Sequence, residues 1–402
     1  MNLQTKAKSE YAQCFSYLLK LLAYALDSER RLPDCTAVNW QALYSLSELH
    51  SLASLVSYAV CALPKVQRPQ SEIYELFRQH QALALVTDSN VNLETELILN
   101  SLSDAGVKCI PVKGYVIKND YPIPSMRSMT DVDIIYASDK KQEVKDIFAS
   151  LGYTLEENGE ELNFNKEPFY HFELHSDKKL NHVYFSDILD RGVYPAGSLV
   201  GHLNPEDSYL FLLCHLSKHF IYGGAGIRMI TDVYVFCRKY YDNLDKAYLS
   251  NELEKLNLKD FECKVRKLAF NWFSEDEPCT DTFLADYILC ACTFGNAKDS
   301  YISNAIISEK KTGKKQTAFK LFLRKVFVPY KTIAELYPSA KAHKILYPFC
   351  LCAHWFERVF RKRNLNTKNL KYYSVSTDSQ QAKRLRLVME EAGLSYDRKA
   401  NE

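Results

Sequence analysis

The chain has 402 residues, of which 47% are hydrophobic and 25% charged. That balance excludes a disordered or fibrous protein, and at one domain per ~150 residues the length predicts two or three domains. The net charge of +2 hides an asymmetry, because residues 301–402 carry 21 Lys/Arg against 8 Asp/Glu and the rest of the chain is net acidic.

In chain order, residues 9–100 read as helices. Tyr11, Phe15, Leu18, Leu19 and Leu22 recur with helical spacing, and Leu83, Val86, Val91, Leu93, Leu97 and Ile98 do so less regularly. Pro33, Pro64 and Pro69 punctuate the connections. Lys20 interrupts the apolar stretch from Tyr11 to Leu26, so no signal peptide is expected. No apolar run approaches the roughly 18 residues of a membrane span.

The pattern changes near residue 107. Val107 to Val112 is short and β-rich and follows Asp104-Ala105-Gly106, a helix stop. Val132 to Tyr136 is a second strand. Asp139 and Gln142 suggest a capping box for a helix whose apolar face is Val144, Ile147, Phe148 and Leu151, with Gly152 ending it. Tyr153-Thr154-Leu155, Glu161 to Phe164 and Phe169 to His175 complete a small mixed sheet. Helices return with the cap Asn204-Pro205. They run through Ser208–Tyr222 and Ile227–Tyr240 and on to a last helix from Gln380 to Ala392, with turns expected at Pro278, Gly313, Pro329, Pro338 and Pro348. The expectation is an α+β protein. A mixed-sheet core (101–200) lies between an N-terminal helical domain (1–100) and a C-terminal helical domain with a basic end (201–402).

Asp131 and Asp133 open the second strand one residue apart. Strand alternation sends both carboxylates to one face while Val132 and Ile134 point into a core. Two carboxylates on one face repel unless a cation lies between them, and Mg²⁺ (or Mn²⁺) takes such hard oxygen ligands together with substrate phosphates. Glu173 is the candidate third acid, and its strand places Glu173 and His175 on one face. Lys113-Gly114 follows the first strand, where glycine permits close approach to phosphate. Arg127 stands four residues before Asp131, suited either to a phosphate or to an ion pair.

Lys113-Gly114, Tyr121-Pro122-Ile123-Pro124, Arg127 to Asp133, Gly152-Tyr153 and Glu173-Leu174-His175 together resemble a bacterial family of uncharacterised nucleotidyltransferases. That family belongs to the polymerase-β-like superfamily. His215 to His219, Arg228 with Asp232, and Phe327-Val328-Pro329 with Leu336-Tyr337-Pro338 look like its helical part, so the resemblance spans about residues 80–365. It implies a minimal mixed sheet flanked by helices. It also implies metal-dependent transfer of a nucleoside monophosphate from a triphosphate such as ATP to an unidentified acceptor (a small molecule, a protein or a nucleic acid), while the reduced cysteines separately fit a cytoplasmic location. Asp131 and Asp133 would hold metal with Glu173, and Lys113, Gly114, Arg127, His175, Lys218 and Arg228 would meet substrate phosphates. One departure is that Tyr115 stands where the superfamily carries a serine after the glycine.

Other signals have plainer readings beside the functional ones. His215 and His219 share a helix face. A zinc site there needs further ligands such as Asp232, and packed histidines on an apolar helix, or lining of a nucleotide cleft with Lys218 and Arg228, explain them without it. Gly223 to Gly226 matches no phosphate-binding loop and reads as an interhelical connection. Lys310, Lys311, Lys314 and Lys315, and Arg358, Arg361, Lys362 and Arg363 beside Trp355 and Phe356, could grip single-stranded nucleic acid or simply face water. The twelve cysteines lack zinc or disulfide spacing, and Cys214, Cys237 and Cys350 lie in apolar runs as buried thiols. Two alternatives to an active nucleotidyltransferase stand beside it: a catalytically inactive nucleotide-binding scaffold with the same fold, and an Asp-x-Asp glycosyltransferase, which would need a doubly wound sheet of about six or more strands.

Overall fold

The computed structural model describes residues 3–158, 161–179, 183–293, 295–313, 328–356 and 377–396. Five strands form one mixed sheet in the order β1-β2-β5-β4-β3. They are β1 (Cys109–Val112), β2 (Val132–Tyr136), β3 (Thr154–Asn158), β4 (Glu161–Lys166) and β5 (Tyr170–Ser176). Of these strand pairs, β2–β5 is parallel and β1–β2, β3–β4 and β4–β5 are antiparallel. A five-stranded mixed sheet is not the doubly wound sheet that a glycosyltransferase reading required.

Strand alternation sorts the sheet into two faces. Val132, Ile134 and Tyr136 of β2, Leu162 and Phe164 of β4, and Phe172 and Leu174 of β5 are buried in one apolar cluster. Ile98, Leu99 and Leu102 of helix α4 (Ser71–Asp104) and Val144 and Phe148 of α6 (Lys141–Ser150) cover it. Phe148 stacks on Phe164 at 4.0 Å between centroids. The other face carries Asp133, Glu173, His175 and Asn163.

The remaining helices build a larger core. α1 (Leu3–Leu26), α2 (Trp40–Leu49) and α3 (Ala53–Ala62) precede the sheet, the short α5 (Gly114–Ile117) joins β1 to β2, and α7 (Ile188–Arg191), α8 (Pro205–Tyr222), α9 (Ile227–Tyr240), α10 (Lys246–Lys255), α11 (Lys259–Ser274), α12 (Phe283–Ala291) and α13 (Ala297–Thr312) follow it. Phe15, Leu18, Leu22, Leu43 and Val56 from the first group pack in one cluster with Leu213, Ile230, Phe261, Trp272 and Ile288 from the second. Ile110 and Ile135, from the sheet's polar side, join the same cluster. The two helical stretches therefore share a core, and the sheet lies against its edge.

Local signals explain most boundaries. Asn204 Oδ1 accepts from Asp207 N at 2.7 Å, and Pro205 occupies the first helical position of α8. Gly152 takes a positive φ of 82° after α6, where a left-handed residue closes a helix cheaply. The Asp139–Gln142 capping box does not form. Residues Ser138–Lys140 make a 3-10 turn, α6 starts at Lys141 without a side-chain cap, and the nearby Ser138 N–H is capped from across the chain by Asp177 Oδ1 at 3.0 Å. Pro338 and Pro348 lie in the first turns of helices (Pro338–Ala342 and Tyr347–Phe356) rather than in turns between them, because proline costs little where no N–H is needed. All twelve cysteines are free, and Cys214, Cys237 and Cys350 are buried as expected. Lys314, Lys315, Arg358, Arg361, Lys362 and Arg363 fall outside the described residues. Among those described, no helix is long and apolar enough to cross a membrane.

Candidate active site

Register brings the acids together. Asp133 of β2 lies opposite Glu173 of the parallel β5 and opposite Val112 of β1, and Ile135 lies opposite His175. Asp133 is 4% exposed, a setting in which a carboxylate needs a counter-charge. Lys113, the residue after β1, supplies it: its Nζ donates to Asp133 Oδ1 at 2.6 Å. His175 Nε2 reaches the same oxygen at 2.8 Å and stands 3.9 Å from Glu173 Oε2. Burial alone would raise the Asp133 carboxyl, but Lys113 and then His175 outweigh it and hold it below the usual range. Burial and the Asp133 and Asp131 charges push the Glu173 carboxyl the other way, above its ordinary value. Two neighbouring acids are thus driven apart, the pattern of groups with different chemical tasks.

Asp133, Glu173 and His175 each offer a ligand atom within 4.8 Å of the others. Asp131 is outside that group. It sits one residue ahead of β2, half-buried, and accepts from Thr130 Oγ1 at 3.2 Å. The third group within that distance is thus His175. The donor set suits a divalent cation: two carboxylates supply hard oxygens, and one imidazole is tolerated by Mn²⁺.

Two further cations, Lys218 and Arg228, interact electrostatically with the acids of this face. Lys218 on α8 is exposed, and the protein around its ammonium, followed by the Lys113 charge, lowers its pKa. Arg228, in the first turn of α9, donates through Nη1 to the Ser128 carbonyl at 2.9 Å, while its buried Nε has no hydrogen-bond partner. His215 and His219 stack edge-on at 4.5 Å. Burial, then the Lys113 charge, pushes His219 down to about 4 and His215 in the same direction. Both are neutral rings near the site. Asp232 does not join them as a zinc ligand.

Arg127 is where the expected phosphate contact gives way. Its Nε and Nη2 each donate to one Asp232 oxygen at 2.8 Å, and Tyr121 Oη donates to Asp232 Oδ1 at 2.7 Å. The ion-pair alternative is the one that the fold adopts. Gly114 serves the same arrangement: a Cβ there would stand 2.4 Å from Arg127 Nη1 and 3.3 Å from Met129 Sδ. Its missing side chain makes room for an arginine. Lys113 beside it has φ 55°, an uncommon conformation for a residue with a side chain.

Some neighbours escaped the sequence reading. Glu161 and Asn163 of β4 share this face; Glu161 Oε1 is 3.7 Å from His175 Nδ1, and Asn163, opposite Glu173, has a buried Oδ1 without a partner. His171 Nε2 stands 3.6 Å from Glu173 Oε1. The alternating polar positions Glu161/Asn163/Asn165 and His171/Glu173/His175 were the available signal. It was obscured because strand order cannot be read from one strand at a time.

A model of the family described as uncharacterised nucleotidyltransferase matches residues 36–274. The match starts earlier than the resemblance in sequence and stops before Val328-Pro329. No curated protein and no solved structure matches the chain.

Proposed function

This chain belongs to that nucleotidyltransferase family, and from this premise we propose that it moves a nucleoside monophosphate from a nucleoside triphosphate to an acceptor at the Asp133–Glu173 face. The observation that carries the reading is the pairing of these two acids across parallel strands, with the Lys113 ammonium bonded to Asp133.

Asp133 and Glu173, with His175 beside them and Asp131 at the edge, are the residues that would hold Mg²⁺ or Mn²⁺. When bound, such an ion supplies Lewis-acid stabilisation of phosphate charge. The protein's own groups do the rest. Lys113 and Lys218 attract the triphosphate, and Arg228, held on the Ser128 carbonyl, adds its charge from beside them. Glu173, half-buried opposite Asp133, is placed to accept the proton of the attacking acceptor hydroxyl as pyrophosphate leaves. The α8 helix, bearing Lys218 and the neutral His215 and His219, lies on the nucleotide side. Arg127 acts by positioning, holding the 127–131 segment against α9.

The test is pyrophosphate release from each of the four ribonucleoside triphosphates with Mg²⁺ or Mn²⁺, with labelled triphosphate offered to a cell extract to find the acceptor. Asp133→Asn and Glu173→Gln are expected to lower turnover by at least ~10²-fold, the size of one lost electrostatic contribution to a transition state. Wild-type turnover in a folded Asp133→Asn variant would sink the mechanism.

A second reading is favoured by one contact. Lys113 already neutralises Asp133, and Tyr115 replaces the expected serine. A binding protein that keeps the fold without catalysis would look the same. Nucleotide binding by calorimetry, without pyrophosphate release from any triphosphate, would select it.

A further inference from the structure

Helix α4 is 34 residues long and has two apolar stripes. Ile73, Phe77, Ile98, Leu99 and Leu102 form the buried one. On the opposite side, Leu76, Leu83, Val86, Leu93 and Leu97 are exposed at 37%, 63%, 57%, 68% and 47%. A face of this kind on a soluble helix calls for a partner.

The spacing names the kind of partner. Positions 76, 83, 90 and 97 recur every seven residues, and so do 79, 86, 93 and 100, three residues on. These are the a and d positions of a two-stranded coiled coil. They read Leu76, Leu83, Asn90, Leu97 at a and Gln79, Val86, Leu93, Asn100 at d. None is charged. Glu75 and Glu96 stand at the flanking g positions, with Ala82 and Ser89 between them.

We propose that this outer face of α4 is a parallel, in-register seam between two copies of this chain. A two-fold axis along the seam places every a and d residue against its own copy. Leu83, Val86, Leu93 and Leu97 then meet like with like. The three polar positions, Gln79, Asn90 and Asn100, meet partners that can hydrogen-bond back. An antiparallel pairing that sets Leu83 against Leu93 would set Asn90 against Val86, Gln79 against Leu97 and Asn100 against Leu76, burying three amides against hydrocarbon. A single asparagine at an a position is the known means of specifying register and strand number at some cost in stability. Charge agrees with the parallel arrangement: the g-to-e′ neighbours are Glu75/His80, Ala82/Thr87, Ser89/Glu94 and Glu96/Ser101, with no like-charged pair. The contact runs about 36 Å at ~1.5 Å per residue, which puts it at the small end of specific interfaces and makes the dimer reversible.

Sedimentation velocity of the full chain over a concentration series reads the proposal. The wild type is expected to shift reversibly from monomer to dimer. Leu83→Glu/Leu93→Glu is expected to lose the dimer while its circular dichroism and melting stay unchanged, because both side chains are exposed. Oxidation of Val86→Cys is expected to yield a covalent dimer that the wild type, carrying twelve free cysteines, does not form under the same conditions. A wild-type chain that stays monomeric to its solubility limit, whether the face is bare or covered by the chain's own basic end, would overturn the proposal. So would a dimer that survives Leu83→Glu/Leu93→Glu, or cross-linking seen only when Val86→Cys is mixed with Asn90→Cys.

Discussion

Arg127 lies four residues before Asp131, yet its guanidinium is committed to Asp232, 105 residues away in sequence. The pair is buried, with side-chain exposures of 10% and 2%. Burial makes such a pair worth little in total but costly to break, because the surviving charge is left in a low-dielectric site. Arg127→Met is therefore expected to lower unfolding stability by about 3–5 kcal/mol. Arg127→Lys should recover only part of this, since an ammonium cannot reproduce two parallel N–H···O bonds. Urea unfolding of the three proteins measures it, and an Arg127→Met variant as stable as the wild type would return Arg127 to the phosphate role. Lys113 illustrates the converse. Its chemistry as a cation was legible from its place beside Gly114. Its actual partner, Asp133, required the β1–β2 register.

At the scale of elements, alternation was the reliable signal. It placed Val132 and Ile134 in the core and Asp133 and Glu173 on the polar face, where the sheet has them. Capping was legible where one residue does the work. Asn204 caps α8 alone, so Asn204→Ala is expected to cost about 1 kcal/mol, visible as a lower denaturant midpoint with unchanged slope. A midpoint equal to the wild type's would mean that the cap is replaced by solvent. Capping misled at Asp139, because a distant residue, Asp177, had taken over that turn. The irregular apolar spacing of residues 83–98 has a comparable cause: it is two stripes on opposite sides of α4, superimposed in one string of letters.

At the scale of the whole molecule, the helices before and after the sheet share one core, and a histidine shows how tightly. His50, fully buried after α2, accepts from Ile227 N at 3.3 Å through Nδ1 and faces the Leu289 carbonyl at 3.2 Å through Nε2. It thus joins three distant segments as a neutral ring. Burial lowers its pKa from 6.5 to about 4. The sign follows: the unfolded chain takes up this proton first, so the stability due to the neutral ring is complete above pH 6.5, declines below it and is gone near pH 4. The loss reaches about 3 kcal/mol at 1.36 kcal/mol per pKa unit. His219 moves in the same direction. Urea midpoints measured from pH 7 to pH 4 should fall over this window, and the slope should lessen in His50→Leu, which has no proton to gain. A flat profile in the wild type would contradict the burial argument.

The amino-acid sequence by itself determined what depends on neighbours along the chain. It set the alternation that separates acids from core, the cap of α8, the glycine stops of α8 and α6, and the nucleotidyltransferase motifs. Tertiary structure decided what depends on pairing between distant segments. The parallel β2–β5 register chose His175 rather than Asp131 as the near neighbour of Asp133 and Glu173. The packing of α9 against the 121–128 segment turned Arg127 to Asp232 and gave Gly114 its reason. The physical cause is the same throughout: a short-range preference is written in one segment, whereas the energy of a buried charge is settled by whichever opposite charge the fold carries to it.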